Sequence, residues 1–530
     1  MVWFLRPEML LQTILAVPSA VPPSIQASNG SFSNVTLSYG QYQGTNLPGN
    51  VTEFLGVRYA NTPQRFSASG PPTPFTEVIQ ATQYGPGCQG SGSQLSPGNS
   101  EDCLFADIYT PTAAIQSDST AKLPVFVFIQ GGGLTDTLGR FNGTGLLSAS
   151  NLSIITVTFT YRSGPFGFLA SREVLANGTL NAGLLDQLQL LQWVKQEITH
   201  FGGDASRVTL GGQSAGAGCA LNHLTANETM NSGLFQAAIL QSTSSPPVRQ
   251  VSEQQFQYDN LVNATQCSGQ DTLACLRGLT TDQLLAGSFI NPYPGNTGVP
   301  VFGWHIVVDG IYVNDSPLSS LANGKVSNVP IVIGSVTDEG TVFTPRNISN
   351  SVEATAFIKN NYPNVTQAQL DNYIQLYNFG LPSSNYWLKA SSSYGETRYI
   401  CPSIYISSYV PTWNYRYNIS TADQIASLDG ASHGSDLSAI WAPTYGSSDQ
   451  IALLQGPANQ TLQWIQGYWI SFIQTYNPNI NRILGSPDWP VWTASYRFVF
   501  NVTGSGTESV DQAQCSRCNY LGSIEPSLEQ

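Results

Sequence analysis

A chain of 530 residues has room for two or three average domains or one large α/β domain, and no shift in composition marks a break between halves. Hydrophobic residues make up 41% and charged residues only 10%, with 10 Trp, 24 Tyr and 23 Phe, so a disordered chain is excluded. Twenty basic against 33 acidic residues give a net charge of −13, which repels a phosphate backbone and argues against nucleic acid as a partner.

At the N-terminus, Arg6 precedes the apolar segment Met9 to Val17, and small residues follow at Ser19 and Ala20. This is the pattern of a cleavable signal peptide over 1–19, which leaves 20–530 as a single expected domain. The longest later apolar run, Leu123 to Ile129, is far below the roughly 20 residues that span a bilayer, so no membrane span is expected. Fourteen N-x-Ser/Thr sequons and eight cysteines suit the secretory path and an extracellular location. Cys88 with Cys103, and Cys267 with Cys275, are spaced for local bridges, whereas Cys219, Cys401, Cys515 and Cys518 cannot be paired from spacing. The C-x-x-C at 515–518 has no second Cys or His pair near it, so it reads as structural rather than as half a zinc site.

From Val35 to Tyr59, β-branched and aromatic runs alternate with Gly and Asn turns, which predicts a small antiparallel meander. A Gly/Ser/Pro-rich loop follows at 85–100. Strands are predicted at Pro124–Ile129 and Ile154–Phe159, then a helix at Asp186–Phe201, where Leu188, Leu191, Val194 and Ile198 share one face. The strand Val208–Leu210 runs straight into GGQSAGAG. Further strands are expected at Pro330–Ile333 and Arg497–Phe500, and an aromatic-rich helix at about Thr461 to Thr475. Strand, helix and strand in this order predict a large, mostly parallel α/β sheet.

Three features carry chemistry. Gly212-Gln213-Ser214-Ala215-Gly216 matches G-x-S-x-G, a brief pattern that gains weight from its place between a strand and a helical run. Gly131-Gly132-Gly133 follows the strand Pro124–Ile129, where backbone N–H groups free of side chains can stabilise the negative charge that grows on an attacked carbonyl. A lone triple glycine is more often a plain tight turn. A base is then required, and four histidines are available. His200 ends a helix, His223 sits behind the elbow and His305 stands in a strand-like run. His433 lies among Gly and Ser on a loop after the main strands, and position favours it.

These residues lie in longer segments, EDCLFADIYTP at 101–111, FTYRSGPFGFLAS at 159–171, GLLDQLQLLQWV at 183–194, FGGDASRVTLGGQSAGAG at 201–218, IGSVTDEGTVF at 333–343 and HGSD at 433–436. Together they make the chain, from about 35 to 500, resemble the type-B carboxylesterase family, which includes cholinesterases, fungal lipases and the non-catalytic neuroligins. The resemblance implies an α/β-hydrolase fold and a serine carboxylic-ester hydrolase that needs no cofactor or metal. It implies Ser214 as nucleophile, Glu339 as acid and His433 as base, with an oxyanion hole from Gly132, Gly133 and Ala215. Asp338 is the alternative acid on chemistry alone. The resemblance also implies structural ion pairs Arg65–Glu101 and Arg162–Asp186, supports Cys88–Cys103 and Cys267–Cys275, and suggests that Cys401 bridges to Cys515 or Cys518.

Three departures from the family pattern stand out. Gln213 replaces the usual Glu before the nucleophile. Leu134 replaces an aromatic residue after the triple glycine, which is expected to alter one wall of the pocket. The loop 89–102 is short and polar, without the amphipathic lid of the lipases or the choline-holding Trp of the cholinesterases. The expected substrate is therefore a soluble ester with a short or medium acyl chain.

Overall fold

Short apolar runs, buried along most of their length, form the centre of a 13-stranded sheet in the computed structural model, which describes residues 31–530 apart from 93, 117–118, 137–139, 227–228, 230–231, 380–384 and 494–495. The leader expected over 1–19 lies outside the described residues. Three strands, β1 (Phe32–Leu37), β2 (Gly40–Leu47) and β3 (Val51–Arg58), make the expected antiparallel meander, and β4 (Val78–Ala81) pairs alongside β2. The chain then continues as β5 (Phe105–Pro111), β6 (Leu123–Ile129), β7 (Ile155–Phe159), β8 (Gly203–Gln213), β9 (Ala237–Gln241), β10 (Ile331–Val336), β11 (Thr412–Asn418), β12 (Tyr496–Asn501) and β13 (Gly506–Ser509).

The order β7-β6-β8-β9-β10-β11-β12 is parallel throughout, with β5 antiparallel on one side and β13 on the other. A parallel strand is covered on both faces and so reads as a continuous apolar run. Within β6 the alternation still sorts the faces: Val125, Val127 and Ile129 join one apolar cluster, while Phe126 and Phe128 join another. Leu184, Leu188, Leu191 and Val194 of α1 (Ala182–Glu197) pack into the first cluster, as does α2 (Ala215–Thr225); Ile465, Tyr468, Trp469 and Phe472 of α3 (Asn459–Thr475) pack into the second.

The sequence reading places α1 four residues late. Asn181, in the left-handed region at φ 54°, opens the helix while its side-chain amide pairs with the Val307 backbone at 2.8 and 2.9 Å, and Ile198–Phe201 is a terminal 3-10 turn. Strands β4, β5, β9, β11 and β13 have no counterpart in the sequence reading, and β9 and β11 show why. Five buried residues, AAILQ, carry no alternation, and TWNYRYN holds Asn414 and Arg416 where an apolar run would be looked for.

Both expected local disulfides are present, and Cys401 bonds Cys518 rather than Cys515, which leaves Cys219 and Cys515 as thiols. Arg65 meets Glu101 at 2.5 and 2.7 Å, and Arg162 meets Asp186 at 2.7 and 2.8 Å. No helix among the described residues is long and apolar enough to cross a membrane.

Candidate active site

All the parts of the site leave the sheet at the carboxyl ends of parallel strands, where open α/β sheets place their ligand crevices. Strand β8 ends at Gln213, Ser214 makes the turn, and α2 begins at Ala215. Ser214 has φ 59° and ψ −127°, a conformation that side chains rarely adopt and that surrounding structure must enforce. Backbone crowding does so. A Cβ on Gly212 would collide with the Gly216 carbonyl, and one on Gly216 with the Ile129 carbonyl of β6. The turn is tied further by Ser214 N–H to Gln241 O at 2.9 Å, and by Gly218 N–H and Ser244 N–H donating to Ser214 O at 3.0 and 3.2 Å.

The triple glycine follows β6 and lies against this turn. A Cβ on Gly131 would come within 2.9 Å of the Ser214 Cβ, so only glycine fits there. Gly132 and Gly133 have φ 122° and 66°. The N–H groups of Gly132, Gly133 and Ala215 donate no hydrogen bond among the described residues. That leaves them available for an oxygen developing negative charge.

Glu339 sits on the turn after β10, and His433 on the loop after β11. His433 Nδ1 is 2.5 Å from Glu339 Oε2. The carboxylate is buried and its other oxygen accepts the Val336 N–H at 2.9 Å. The imidazole ring packs against Phe343 and Tyr399, with centroids at 5.0 and 4.5 Å. With Nδ1–H given to Glu339, the other nitrogen is an acceptor. The structure does not join that Nε2 to Ser214 Oγ by a hydrogen bond; it lies 3.2 Å from the Gln213 side-chain nitrogen.

Asp338, the alternative acid, has no hydrogen bond to the histidine ring among the described residues. Its carboxylate accepts the Ala431 N–H at 2.9 Å and its own N–H donates to Ala431 O at 3.0 Å, fastening the acid turn to the histidine loop. Asp436 of HGSD, for which no role is expected from the motif, is buried beneath that loop and accepts from Tyr415 Oη at 2.7 Å and Gln241 Nε2 at 3.1 Å. Burial pushes its carboxyl above the usual range.

The other histidines are structural. His200 is half exposed beside Glu197 at 3.7 Å. His223 is buried between Tyr312 Oη and Gln187 Oε1, and burial pushes it down to about 3. His305 is buried on Tyr293 Oη at 2.6 Å.

Ser214, His433, Gly132 and Gly133 open on a cavity of about 430 Å³. Phe302, Val342 and Phe343 line its apolar side; Thr421, Gln424, Ser447 and Gln450 line a polar one. The expectation that Leu134 forms a changed wall is corrected: Leu134 is buried in the main core, and the aromatic face over Gly133 comes from Phe302, distant in sequence. Aromatics near Trp304 or Trp387 are candidates for the lining on sequence alone, and Phe302, two residues before Trp304, is one of them, while the two tryptophans themselves lie off it. Their indole N–H groups donate to Ser91 Oγ at 2.5 Å and Thr344 O at 3.0 Å. Sequence reasoning missed Phe343, and marked Phe302 only as an aromatic near Trp304, because they belong to segments whose placement depends on a third apolar cluster, built with helices Ser351–Asn361 and Tyr386–Gly395. No group of side chains among the described residues is arranged to hold a metal ion.

The model of the carboxylesterase family matches residues 31–521. A secreted lipase of Gibberella zeae is 30% identical over 91% of both chains, and a para-nitrobenzyl esterase of Bacillus subtilis is 28% identical over 86% of this chain and 92% of its own. The crystal structure of Aspergillus niger EstA superimposes with a TM-score of 0.90 at 38% identity, covering 94% of this chain and 99% of that one. An elbow serine beside a carboxylate-bound histidine, on a sheet shared with these relatives, leads to one conclusion: the chain belongs to the carboxylesterase family and is a serine ester hydrolase of the α/β-hydrolase fold.

Proposed function

We propose that Ser214 is the nucleophile, His433 the general base and Glu339 the acid that orients it, with the N–H groups of Gly132, Gly133 and Ala215 as the oxyanion hole. The observation that carries this reading is the 2.5 Å contact of Glu339 with His433 at the cavity that Ser214 also lines. Ser214 Oγ attacks the ester carbonyl as His433 Nε2 takes its proton, and the oxyanion is received by backbone donors. The same proton passes to the departing alcohol, leaving an acyl-enzyme. Water, deprotonated by His433, then releases the acid and restores the serine.

The substrates are soluble esters with short or medium acyl chains. Supporting this, the described part of the loop 89–102 forms no helix, carries one large hydrophobe, Leu95, and is pinned by Leu95 N–H to Asp282 at 2.8 Å. Such a loop has no apolar helical face with which to open on an oil–water interface. The chain acts outside the cell as one domain over 20–530. Its leader pattern, its sequons and the printed names of the secreted relatives favour that.

The test is labelling with a fluorophosphonate, followed by rates on butyrate esters below and above their solubility limits. Modification at Ser214 and a smooth rate curve are expected. No labelling would point to a silent binding protein, and a sharp rise above the solubility limit to a lipase. Mass spectrometry of protein from the native host checks export: an intact Met1 with unmodified sequon asparagines would sink it.

A further inference from the structure

The polar wall of the cavity is built twice to one plan. Thr421-Ala422-Asp423-Gln424 and Ser447-Ser448-Asp449-Gln450 each run hydroxyl residue, spacer, Asp and Gln, and each opens a short helix, Ala422–Ala426 and Ser448–Gln455. In both, the hydroxyl oxygen accepts the Gln backbone N–H at 3.2 Å. The Gln side-chain oxygen in turn accepts the N–H of the hydroxyl residue, at 2.9 Å in the first and 3.0 Å in the second. Those acceptors are therefore used within each turn. What remains at the cavity is a set of donors, the Thr421 and Ser447 hydroxyl protons and the Gln450 amide N–H, together with the carboxylates of Asp423 and Asp449. Neither Asp makes an ion pair or a side-chain hydrogen bond among the described residues, and the Gln450 side-chain nitrogen donates to none of them.

The two walls stand at different ends of the reacting ester. The apolar one begins over the oxyanion hole, where Phe302 lies on Gly133, and runs on through Val342 and Phe343. The polar one is fastened to the histidine's loop: Gln424 Nε2 reaches Ser432 and Ser435 at 3.3 and 3.2 Å, and a Cβ on Gly446 would stand 2.9 Å from the Ser438 Cβ. Because His433 hands its proton to the departing alcohol, the alcohol half of an ester stands on the histidine's side. The acyl half is left the apolar wall.

We propose that the alcohol half of the substrate is a sugar, whose hydroxyl groups are bound by Asp423, Asp449, Thr421, Ser447 and Gln450 while the acyl chain lies along Phe302, Val342 and Phe343. The inference rests on the reading of Ser214 and His433 as the catalytic pair and names the substrate class of that same site. A sugar matches the wall on both counts, since each of its hydroxyl groups can donate to a carboxylate and accept from a hydroxyl or an amide. Five binding groups on two segments exceed what the two free hydroxyls of a glycerol monoester can engage, whereas a sugar ring carries enough. A quaternary ammonium would suit the two carboxylates but has no acceptor for the Thr421, Ser447 and Gln450 donors.

The experiment measures kcat/KM at neutral pH for methyl glucopyranoside 6-butyrate and for (tetrahydropyran-2-yl)methyl butyrate, which keeps the ring and the linkage but lacks the hydroxyl groups. Glycerol 1-butyrate and choline butyrate run beside them. Each value is divided by the rate of the same ester with hydroxide, which removes differences between leaving groups. Wild type is expected to prefer the sugar ester to its hydroxyl-free counterpart by at least about tenfold. Asp423→Ala and Asp449→Ala should each lower that ratio by at least about threefold, through KM for the sugar ester. A wild-type ratio near one would overturn the proposal, as would a ratio that survives the loss of both carboxylates. So would a preference of about tenfold for the choline or the glycerol ester over the sugar ester. If a variant does not fold, the wild-type ratios decide alone. Failure of the underlying reading looks different: wild type would cleave none of these esters and would not be labelled by a fluorophosphonate at Ser214.

Discussion

The serine side and the histidine side of the cavity are held by different forces. Around Ser214, backbone lies against backbone: Gly212 on Gly216, and Gly216 on the Ile129 carbonyl of β6. Around His433, side chains hold a loop. Asp338 takes the Ala431 N–H, Thr341 Oγ1 donates to Asp429 O at 2.8 Å, and Gln424 Nε2 reaches Ser432 and Ser435 at 3.3 and 3.2 Å. The loop's glycine beside the histidine is held by its φ of 83° rather than by crowding, with nothing closer than 3.7 Å to a Cβ on Gly434. Ser214 is thus fixed by a strained turn crowded by backbone, and His433 by side-chain fasteners.

The largest effect falls on both sides alike. Ser214→Ala and His433→Ala should each lower kcat by at least about a thousandfold with the fold intact, because the members of the proposed triad act as one unit. Circular dichroism and single-turnover assays check this, and a variant within tenfold of wild type would remove that residue from the triad.

Below that, the sides should part. Gly216→Ala forces a methyl into the β6 backbone and should cost about 3 kcal/mol or more, seen as lost soluble yield or a fall in Tm of several degrees. Asp338→Asn keeps an oxygen for the Ala431 N–H and should stay folded and within about tenfold in kcat. Glu339→Gln, which upsets the tautomer of the ring it holds, should lose about a hundredfold or more. A harmless Gly216→Ala would break the comparison, and an inactive Asp338→Asn with a near-normal Glu339→Gln would exchange the two acids.

The same division explains what could be read from the sequence. Backbone crowding leaves glycine as its mark, so GGQSAGAG and the triple glycine disclosed the elbow and its partner turn before any coordinates. The unbroken apolar run LPVFVFI likewise announced β6. Side-chain fastening uses common residues at no fixed spacing, and nothing in Asp338, Gln424 or Thr341 singles them out. Glu339 was legible only through resemblance, since the adjacent Asp338 offers the same chemistry and only the turn decides which carboxylate faces the ring. Phe343 was invisible, and Phe302 was marked only as an aromatic near Trp304, for a further reason. They reach the cavity through a cluster of helices between 351 and 409, whose weakly patterned sequences the reading passed over.

The smallest effect sharpens the histidine side, where charge rather than crowding sets the margin. Burial is the main reason the Asp436 carboxyl is pushed above its usual range; hydrogen bonds from Tyr415 and Gln241 pull the other way, and the charge of Glu339 adds to the rise. A carboxyl that binds its proton more tightly in the native state than in the unfolded chain loses native stability as pH rises from the unfolded value, about 4, through the folded one. Asn at this position keeps an oxygen for Tyr415 and Gln241 and never ionises. The Tm of Asp436→Asn relative to wild type should therefore climb with pH across that window, by roughly one to three degrees, and level off above it. Below pH 4, where the carboxyl is neutral in both states, the advantage should vanish. A difference that stays constant with pH, or that grows on acidification, would show that the loop carrying His433 gains stability from an ionised Asp436 and that its fastening is electrostatic in the opposite sense.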